Sequence, residues 1–500
     1  MAETLPSLVH GFGIALQPHN LLYAFIGVSM GTVVGVLPGL GPSATIALLL
    51  PATFQLSPIS AIIMLSGICY GAMYGSSTTS ILLNIPGEPS SVVTCLDGYQ
   101  MARKGRAGPA LGISAFASFL AGSFGVVGLT VLASLLGDWA LTFGPPEYFS
   151  LMIMGMTVVT YLSRKSMIKA LMMVAAGIIL GCVGLDPMTA SPRLTFGRLE
   201  LAEGFALSPV VMGLFGISEV LDNLSKPVRA EMFAEPIRRL FPTGDDWKRS
   251  VGPIMRGTFL GFFLGVLPGV GTIVPQFLSY ALERRLSKHP ERFGSGVIEG
   301  VAAPEACNNA AVTGTFIPLL SLGIPSNAMT AMLLGALMIY GLTPGPMLIK
   351  QSPDVFWGVV ASMYIGNVML LILNLPLIPL WVRMLTIPYP YLSAFIVLFS
   401  LIGAYSLNNR TADIYVAVGF GGMGVLMKRL EYEPAPLVLA FVLGPLLETA
   451  LRRSLVLSDG RVSIFFERPV SAVFMVCAAV FLVIPLITRE RIAEGMSAEE

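Results

Sequence analysis

Apolar runs of 15 to 25 residues recur along the chain from Leu21 to Ile487, and many carry glycine or proline in their middle rather than at their ends. Runs of that length match the ~20 residues a helix needs to cross the hydrocarbon of a bilayer. Only 12% of the residues are charged and 54% are hydrophobic, whereas a soluble domain carries about 25% charged residues. The pattern predicts an all-α polytopic membrane protein with the lipid bilayer as its solvent. It excludes a soluble enzyme, a nucleic-acid binder and a disordered scaffold. A helix broken in contact with lipid would leave backbone N–H and C=O groups unpaired, so the breaks must be buried or line a polar cavity. They mark the working part.

The formal net charge of +1 hides a sorted distribution, because most Lys and Arg sit in short clusters between apolar runs. The five cysteines lie far apart without metal-ligand spacing and read as small buried hydrophobes. Met1 to Asn20 lack a basic leader and carry Glu3, so a cleaved secretory signal is not expected. His10, His19 and His289 are remote from any candidate nucleophile, and the nucleotide-binding pattern GxxxxGK[ST] is missing. Neither hydrolysis nor a nucleotide-driven motor is encoded, no cofactor is expected, and energy must come from an ion gradient or another subunit.

An internal repeat organises the chain. Gly35-Val36-Leu37-Pro38-Gly39-Leu40-Gly41 recurs as Gly265-Val266-Leu267-Pro268-Gly269-Val270-Gly271 at a shift of 230, each copy following a GxxxG pair. Asn84-Ile85-Pro86-Gly87 meets Gly323-Ile324-Pro325-Ser326 at a shift of 239, and Tyr161 meets Tyr405 at 244. Collinear landmarks with a slowly growing shift predict a duplication. The expected halves are residues 1–225 and 257–487, with a polar cytoplasmic linker at 226–256 and a polar tail at 488–500. The linker stretch holds seven Lys or Arg and four Asp or Glu.

Charge orients the halves. In the first, Pro51 to Ser60 has no Lys or Arg, while the loop after the second break holds Arg103, Lys104 and Arg106. In the second the order reverses: Arg284, Arg285, Lys288 and Arg292 follow the first break, and Leu342 to Asp354 has only Lys350. Basic loops stay cytoplasmic, so two inverted-topology repeats are expected. The arms around Pro268-Gly269 are each only about 10 to 15 residues, short of a span. Re-entrant hairpins at Gly257 to Leu282 and Leu22 to Phe54, together with broken transmembrane helices, follow as expectations.

Pro42 stands where a first helical residue belongs, with Gly41 or Ser43 placed to cap. A helix starting at membrane depth turns free N–H groups and a positive dipole end toward anions. Gly39, Gly41, Pro42, Gly269 and Gly271 would shape the hairpin tips, with Ser43 and Thr272 beside them. The hydroxyl run Ser76-Ser77-Thr78-Thr79-Ser80 before Asn84, and the stretch Glu305, Asn308, Asn309 and Thr313 before Gly323, Pro325 and Ser326, are too polar to face lipid. Their oxygens suit Na⁺, with Ser77, Thr78, Asn308 and Asn309 as candidate ligands, and their donors suit a carboxylate. Interhelical hydrogen bonding is the alternative use of such groups. Among the acids near apolar segments (Glu88, Glu147, Glu219, Glu305, Asp413 and Glu448), most sit at breaks or segment ends, where capping or ion pairing competes with function.

Four long segments, Gly35 to Thr45, Tyr74 to Pro109, Pro304 to Pro325 and Leu443 to Gly460, give the chain a specific likeness. It resembles the large membrane subunit of the tripartite tricarboxylate transporters over nearly its whole length. Cys307 and Ser326-Asn327 depart from the usual family residues. The resemblance implies a bacterial inner-membrane importer of a carboxylate such as citrate, working with a small membrane subunit and a periplasmic solute-binding protein, and driven by Na⁺ or H⁺. Moving one charge against the membrane potential costs about 2.3 kcal/mol per 100 mV, so a trivalent anion faces roughly three times that and requires co-transported cations. A passive anion channel and a non-transporting scaffold are the alternatives.

Overall fold

The structure, a computed structural model, describes residues 4–37, 41–161, 166–225, 240–267, 270–384 and 389–497. Its helices are α1 (Thr4–Ala15), α2 (Pro18–Val36), α3 (Pro42–Thr53), α4 (Pro58–Leu83), α5 (Val92–Met101), α6 (Ala107–Ala140), α7 (Pro145–Tyr161) and α8 (Met167–Gly181). There follow α9 (Leu207–Val211), α10 (Ser218–Ser225), α11 (Gly244–Val266), α12 (Ile273–Leu286), α13 (Glu299–Leu322), α14 (Ala328–Ile339), α15 (Pro346–Gln351) and α16 (Pro353–Asn374). The last are α17 (Ile378–Met384), α18 (Tyr389–Asn408), α19 (Thr411–Arg429), α20 (Pro434–Leu457), α21 (Ile464–Glu467) and α22 (Pro469–Ser497). A 3₁₀ turn, Pro89–Ser91, leads into α5, and β1 (Gly184–Leu185) pairs antiparallel with β2 (Pro192–Arg193). Among the described residues, five helical segments are long and apolar enough to cross a membrane: Pro18–Val36, Pro58–Leu83, Pro89–Ala140, Pro353–Asn374 and Pro434–Leu457. The expected all-helical polytopic fold is present.

Two compact units divide the chain. One comprises Met1–Asp138 with Leu207–Leu426, the other Trp139–Ala206 with Met427–Glu500, so each draws on residues from both sides of the 226–256 stretch.

Glycine spacing sets the packing of the first unit. Gly27, Gly31 and Gly35 lie against Met64, Ile68 and Ala72, and Gly257, Gly261 and Gly265 lie against Ala303, Cys307 and Ala311. A Cβ at any of the six would overlap partner backbone, so only glycine permits this approach. Residue numbers rise together in both pairings, which makes α2 parallel to α4 and α11 parallel to α13. The offsets between the copies are the 230 and 239 of the sequence repeat. Two parallel helices joined through a short third one require that one to run back. Ser60 donates to Asn20 Oδ1 (2.6 Å), so the chain leaves the α2–α3 hairpin at the level where it entered. In the second copy, Arg256 makes a bidentate pair with Glu283 (2.7 Å each), which brings α12 back along α11.

The helix α11 begins at Gly244, inside the polar stretch read as a linker. There Thr243 and Asp246 form a reciprocal capping box, and α11 extends to 23 residues, so the outgoing arm is longer than expected. Residues 226–239, Pro38 to Leu40 and Pro268-Gly269 lie outside the described residues.

Side-chain contacts fix the directions of the two copies. Helix α6 runs parallel to α13, with Ser118 bonded to Asn309 and Gly125 against Thr313. Helix α16 runs antiparallel to α6 through Thr130–Tyr364 and Ser123–Asn367. It runs parallel to α4 through Tyr70 against Gly366 and Tyr74 bonded to Asn367. Helices α4 and α13 therefore point in opposite directions, and their hairpins open at opposite ends of the unit. One end gathers basic loops: Lys104 reaches the Ser295 carbonyl and Arg106 reaches Asp246, both at 2.5 Å. At the other, Tyr340 donates to the Thr53 carbonyl (2.6 Å) and His10 meets Asp354 (2.9 Å).

The second unit is a smaller helical bundle. Met152, Met156, Val174, Leu439, Ala440, Leu443 and Leu447 form its core. Glu147 pairs with Arg468 (2.5 Å), and the β1–β2 corner is pinned where Asp186 and Glu448 share Arg193 and Arg452.

Candidate substrate and cation site

Both long helices that precede a break stop on a left-handed residue. Asn84 caps α4 at φ 57° and Gly323 caps α13 at φ 71°, positions that favour Asn and Gly and leave no room for another helical turn. Beyond each stop a fresh helix start is capped by a side chain: Glu88 accepts from Ser90 N, and Asn327 accepts from Thr330 N (2.9 Å). Asn84 and Gly323 thus serve first as helix terminators.

Helix starts near these breaks come in two pairs. Helices α3 and α14 are each 12 residues long, pack together, and are tied at their C-terminal ends by Tyr340 and Thr53. Equal lengths from a common end bring Gly41-Pro42-Ser43 and Asn327-Ala328 to the same depth. From the opposite direction, α12 packs against α5 and the Pro89–Ser91 turn, with Tyr280 donating to Asp97 (2.8 Å). Asp97 is buried and also accepts from the backbone N–H groups of Gly294, Gly296 and Val297. Gly41 is the N-cap of α3 with Pro42 at its first turn, as expected, and Ser43 is buried behind them. In the second copy Gly271 is left-handed (φ 65°) and Thr272 is the buried N-cap of α12. Gly39 and Gly269 fall outside the described residues.

The two polar stretches behave differently. In the first, the hydroxyl hydrogens are committed: Ser76 to Met73 O (2.9 Å), Ser77 to Tyr74 O (2.8 Å), Thr79 to Val36 O (2.6 Å) and Ser80 to Ser76 O (3.0 Å). Thr78 is buried among them. In the second, Asn308 is fully buried with neither amide atom hydrogen-bonded among the described residues. Ser326 Oγ is likewise buried and unpartnered at the break, next to the buried Pro325. Asn309 donates to Ser118 (2.7 Å) and to the Glu305 carbonyl (3.1 Å), and Thr313 donates to the Asn309 carbonyl (2.9 Å). Helices α4 and α13 touch, but no direct bond joins Ser77 or Thr78 to the two asparagines among the described residues.

Of the acids singled out, Glu88 caps, Glu147 and Glu448 pair with arginines, and Asp413 lies 3.9 Å from Arg410. Glu305 differs. It is fully buried on α13 without a basic partner among the described residues. Thr94 donates to Oε1, Ser114 and Ser118 stand at the same carboxyl, and Oε2 has no hydrogen bond of good geometry. Among the described residues no group of three or more His, Cys, Asp or Glu is placed to hold a metal ion, so a cation here would rely on neutral oxygens.

Sequence reasoning passed over Thr94, Ser114, Ser118, Asn367, Gln276 and Ser279. Asn367 accepts from Tyr74 (2.6 Å) and donates to Phe119 O and Ser123 Oγ (2.9 Å each). An amide in the middle of a long apolar helix was the available signal for it, and Gln276 in the apolar start of α12 was a second.

The sequence profile of the tripartite tricarboxylate transporter TctA family matches residues 21–439, a span holding both hairpins and both breaks. The chain belongs to that family. It is thus the large membrane subunit of a tripartite transporter, a family of transporter components and not of enzymes. Over 487 residues, 97% of each chain, it is 50% identical to an uncharacterized 52.8 kDa protein in the TAR-I ttuC' 3' region of Agrobacterium vitis. A second A. vitis protein, from the TAR-II ttuC' 3' region, is 50% identical over 227 residues, 45% of this chain and 94% of the relative. An uncharacterized protein of Methanocaldococcus jannaschii is 24% identical over 274 residues, 53% of this chain and 62% of the relative. No solved structure matches the chain.

Proposed function

We propose that this TctA-family subunit imports a carboxylate, coupled to Na⁺ or H⁺, through a site where its two broken-helix copies meet at mid-membrane in an inverted arrangement. The antiparallel course of α4 and α13, and the basic loops gathered at one end, support the inversion and a cytoplasmic placement of that end. The observation that carries the function is that two pairs of helix N-termini, α3 with α14 and α12 with the Pro89–Ser91 turn, point from opposite directions. The starts of α3 and α12, which no side chain caps, supply N–H donors for carboxylate oxygens at a depth where water screens poorly. Asn308 and Ser326 add buried polar atoms that folding leaves unused.

Cation coupling rests on charge. A multivalent anion entering a negative interior runs uphill, and Glu305, fully buried among hydroxyl neighbours, has no basic partner among the described residues. Ser77, Thr78, Asn308 and Asn309 remain the proposed neutral oxygen ligands for Na⁺. The assembly would work in a bacterial cytoplasmic membrane with a small membrane subunit and a periplasmic solute-binding protein that delivers the substrate.

Reconstitution tests this reading. Proteoliposomes holding both membrane subunits should accumulate the carboxylate above equilibrium only when the binding protein and a Na⁺ or H⁺ gradient are both supplied. Flux that merely dissipates a gradient would make the protein a channel, and no flux would make it a scaffold.

A further inference from the structure

Two loops, one from each copy, meet at the end of the first unit where the basic residues gather. Lys104 donates to the Ser295 carbonyl (2.5 Å), and the Ser295 hydroxyl donates to the Arg292 carbonyl (2.7 Å). Phe293 packs edge-on against Tyr280, with 5.4 Å between ring centres, and the charge of Arg284 acts on the same tyrosine. Residues 97–106 and 283–296 therefore form one surface. Their acids are all engaged: Asp97 is buried under the donors already described, Glu283 pairs with Arg256 (2.7 Å), and Glu291 meets His289 (3.3 Å). Arg106 has its carboxylate in Asp246 (2.5 Å). Arg103, Lys104, Arg284, Arg285, Lys288 and Arg292 are exposed and make no ion pair among the described residues.

The tendency of lysine and arginine to stay in the cytoplasm accounts for such residues being present, but not for the withdrawal of every nearby acid. Like charges on one surface repel, and a counter-anion relieves them. The side chains next to them say which anion. On α12, Phe277 and Leu278 are exposed one to two turns before Arg284 and Arg285. On α11, Phe259 and Phe263 are exposed; they follow Arg256 by three and seven residues and so share the side that meets α12 through Glu283. Exposed side chains of this kind on a membrane helix face acyl chains. From Leu278 to Arg285 the helix rises about 10 Å, enough to pass from the hydrocarbon into a headgroup layer roughly 5 to 8 Å thick. A soluble anion would use the arginines and leave the aromatic stripe idle. A lipid with a negatively charged headgroup uses both, and guanidinium groups bind phosphate oxygens in pairs.

We propose that this surface binds an anionic phospholipid, its phosphate between the α12 arginines and the Arg103–Lys104 turn, its chains along Phe277, Leu278 and Phe259. The site is separate from the path of the transported solute and is independent of which solute is carried. A headgroup there touches both copies close to where Asp97 fastens them, so the bound lipid stabilises the folded protein by mass action.

Thermal unfolding of the purified membrane complex in detergent, titrated with lipid, tests this. Phosphatidylglycerol should raise Tm to a plateau, whereas phosphatidylcholine, which has the phosphate but no net charge, should not. Arg284→Gln together with Arg285→Gln should raise the phosphatidylglycerol concentration that gives half the shift by about fivefold per charge removed, roughly twenty-five-fold for the pair. Lys288→Gln with Arg292→Gln is a second pair, borne on the exposed loop, and should act in the same direction. Arg453→Gln, an exposed arginine of the other unit, should leave the titration as it is. Equal shifts from the two lipids in the wild type would reduce the surface to an ordinary apolar belt and overturn the proposal. So would a phosphatidylglycerol response that survives both double substitutions, which would place the headgroup elsewhere. A matching shift from inorganic phosphate alone would mark a soluble-anion site and overturn it as well. None of these outcomes alters the carboxylate reading, which reconstituted uptake tests separately.

Discussion

The two copies of the helix–break–helix element share a backbone plan and differ in what their polar side chains do. In the first copy, the hydroxyls of Ser76, Ser77, Thr79 and Ser80 close on backbone carbonyls of α2 and α4. In the second, Gln276, Asn308 and Ser326 are buried with polar atoms that meet no partner. A buried hydrogen bond contributes about 1 kcal/mol, whereas an unmet one costs about 1 to 3 kcal/mol. The hydroxyl run of the first copy therefore adds stability, although Ser66 and Tyr70 earlier on α4 are buried without partners, and the two amides and the serine of the second copy carry a penalty that a ligand could relieve. The ties differ as well: α12 is bound to α5 through the carboxylate of Asp97, and α14 to α3 through one tyrosine and the Thr53 carbonyl and hydroxyl.

The ties give the largest expected effect. Asp97→Ala strips the acceptor from three backbone N–H groups and from Tyr280, and should lower the unfolding free energy by about 3 kcal/mol. Tyr340→Phe, the matching change in the other copy, should cost only about 1 kcal/mol. Thermal unfolding of the two variants in detergent measures the difference, and equal losses would erase this contrast. Next come the shared features. Gly31→Ala and Gly261→Ala each drive a Cβ into a partner helix, at Ile68 and at Cys307. Both should destabilise by about 2 kcal/mol through overpacking. A large effect in one copy alone would show that the common glycine pattern hides unequal packing.

Asn308→Ala should separate stability from transport. Uptake is expected to be lost while the folded protein melts no lower than the wild type, because an unpaired amide has been removed from the interior. Normal uptake kinetics in that variant would return Asn308 to the ordinary buried residues and leave the second copy without its distinguishing feature.

The shared plan was legible in the sequence because its causes are local. Glycines four apart announce a close backbone approach, an Asn or Gly before Ile-Pro announces a left-handed stop, and the shifts of 230 and 239 reappear as helix pairings. The basic clusters foretold which loops gather: Lys104 and Arg106 do meet residues around the 244–296 segments. Cysteine accessibility at Lys104 and Arg285 should accordingly report the same face of the membrane. The contrast between copies was not legible. A serine run looks polar whether its hydrogens bond the preceding turn or a ligand, and only neighbours supplied by α5 and α6, such as Thr94, Ser114 and Ser118, reveal that Glu305 has a cage rather than a counter-ion. The pairing of 139–206 with 427–500 likewise comes from distant helices packing on one another, which no short motif records. The polar stretch before Arg256 shows a finer limit: composition marks it as polar, while Thr243 and Asp246 within it spell the start of α11.

The smallest effect belongs to the first copy and probes its stabilising role directly. Thr79 donates to the Val36 carbonyl, the last residue of α2, across the helix pair just before the break (2.6 Å). That carbonyl is one of the orphan acceptors at a helix end, so the hydroxyl substitutes for the bond a further turn would have made. Thr79→Val keeps the shape and removes the donor. It should lower stability by about 1 kcal/mol, a shift of a few degrees at most in the melting temperature, and leave uptake kinetics unchanged. A loss of uptake out of proportion to the loss of stability would place Thr79 in contact with substrate, and the division of labour between a structural first copy and a ligand-facing second copy would have to be redrawn around Val36.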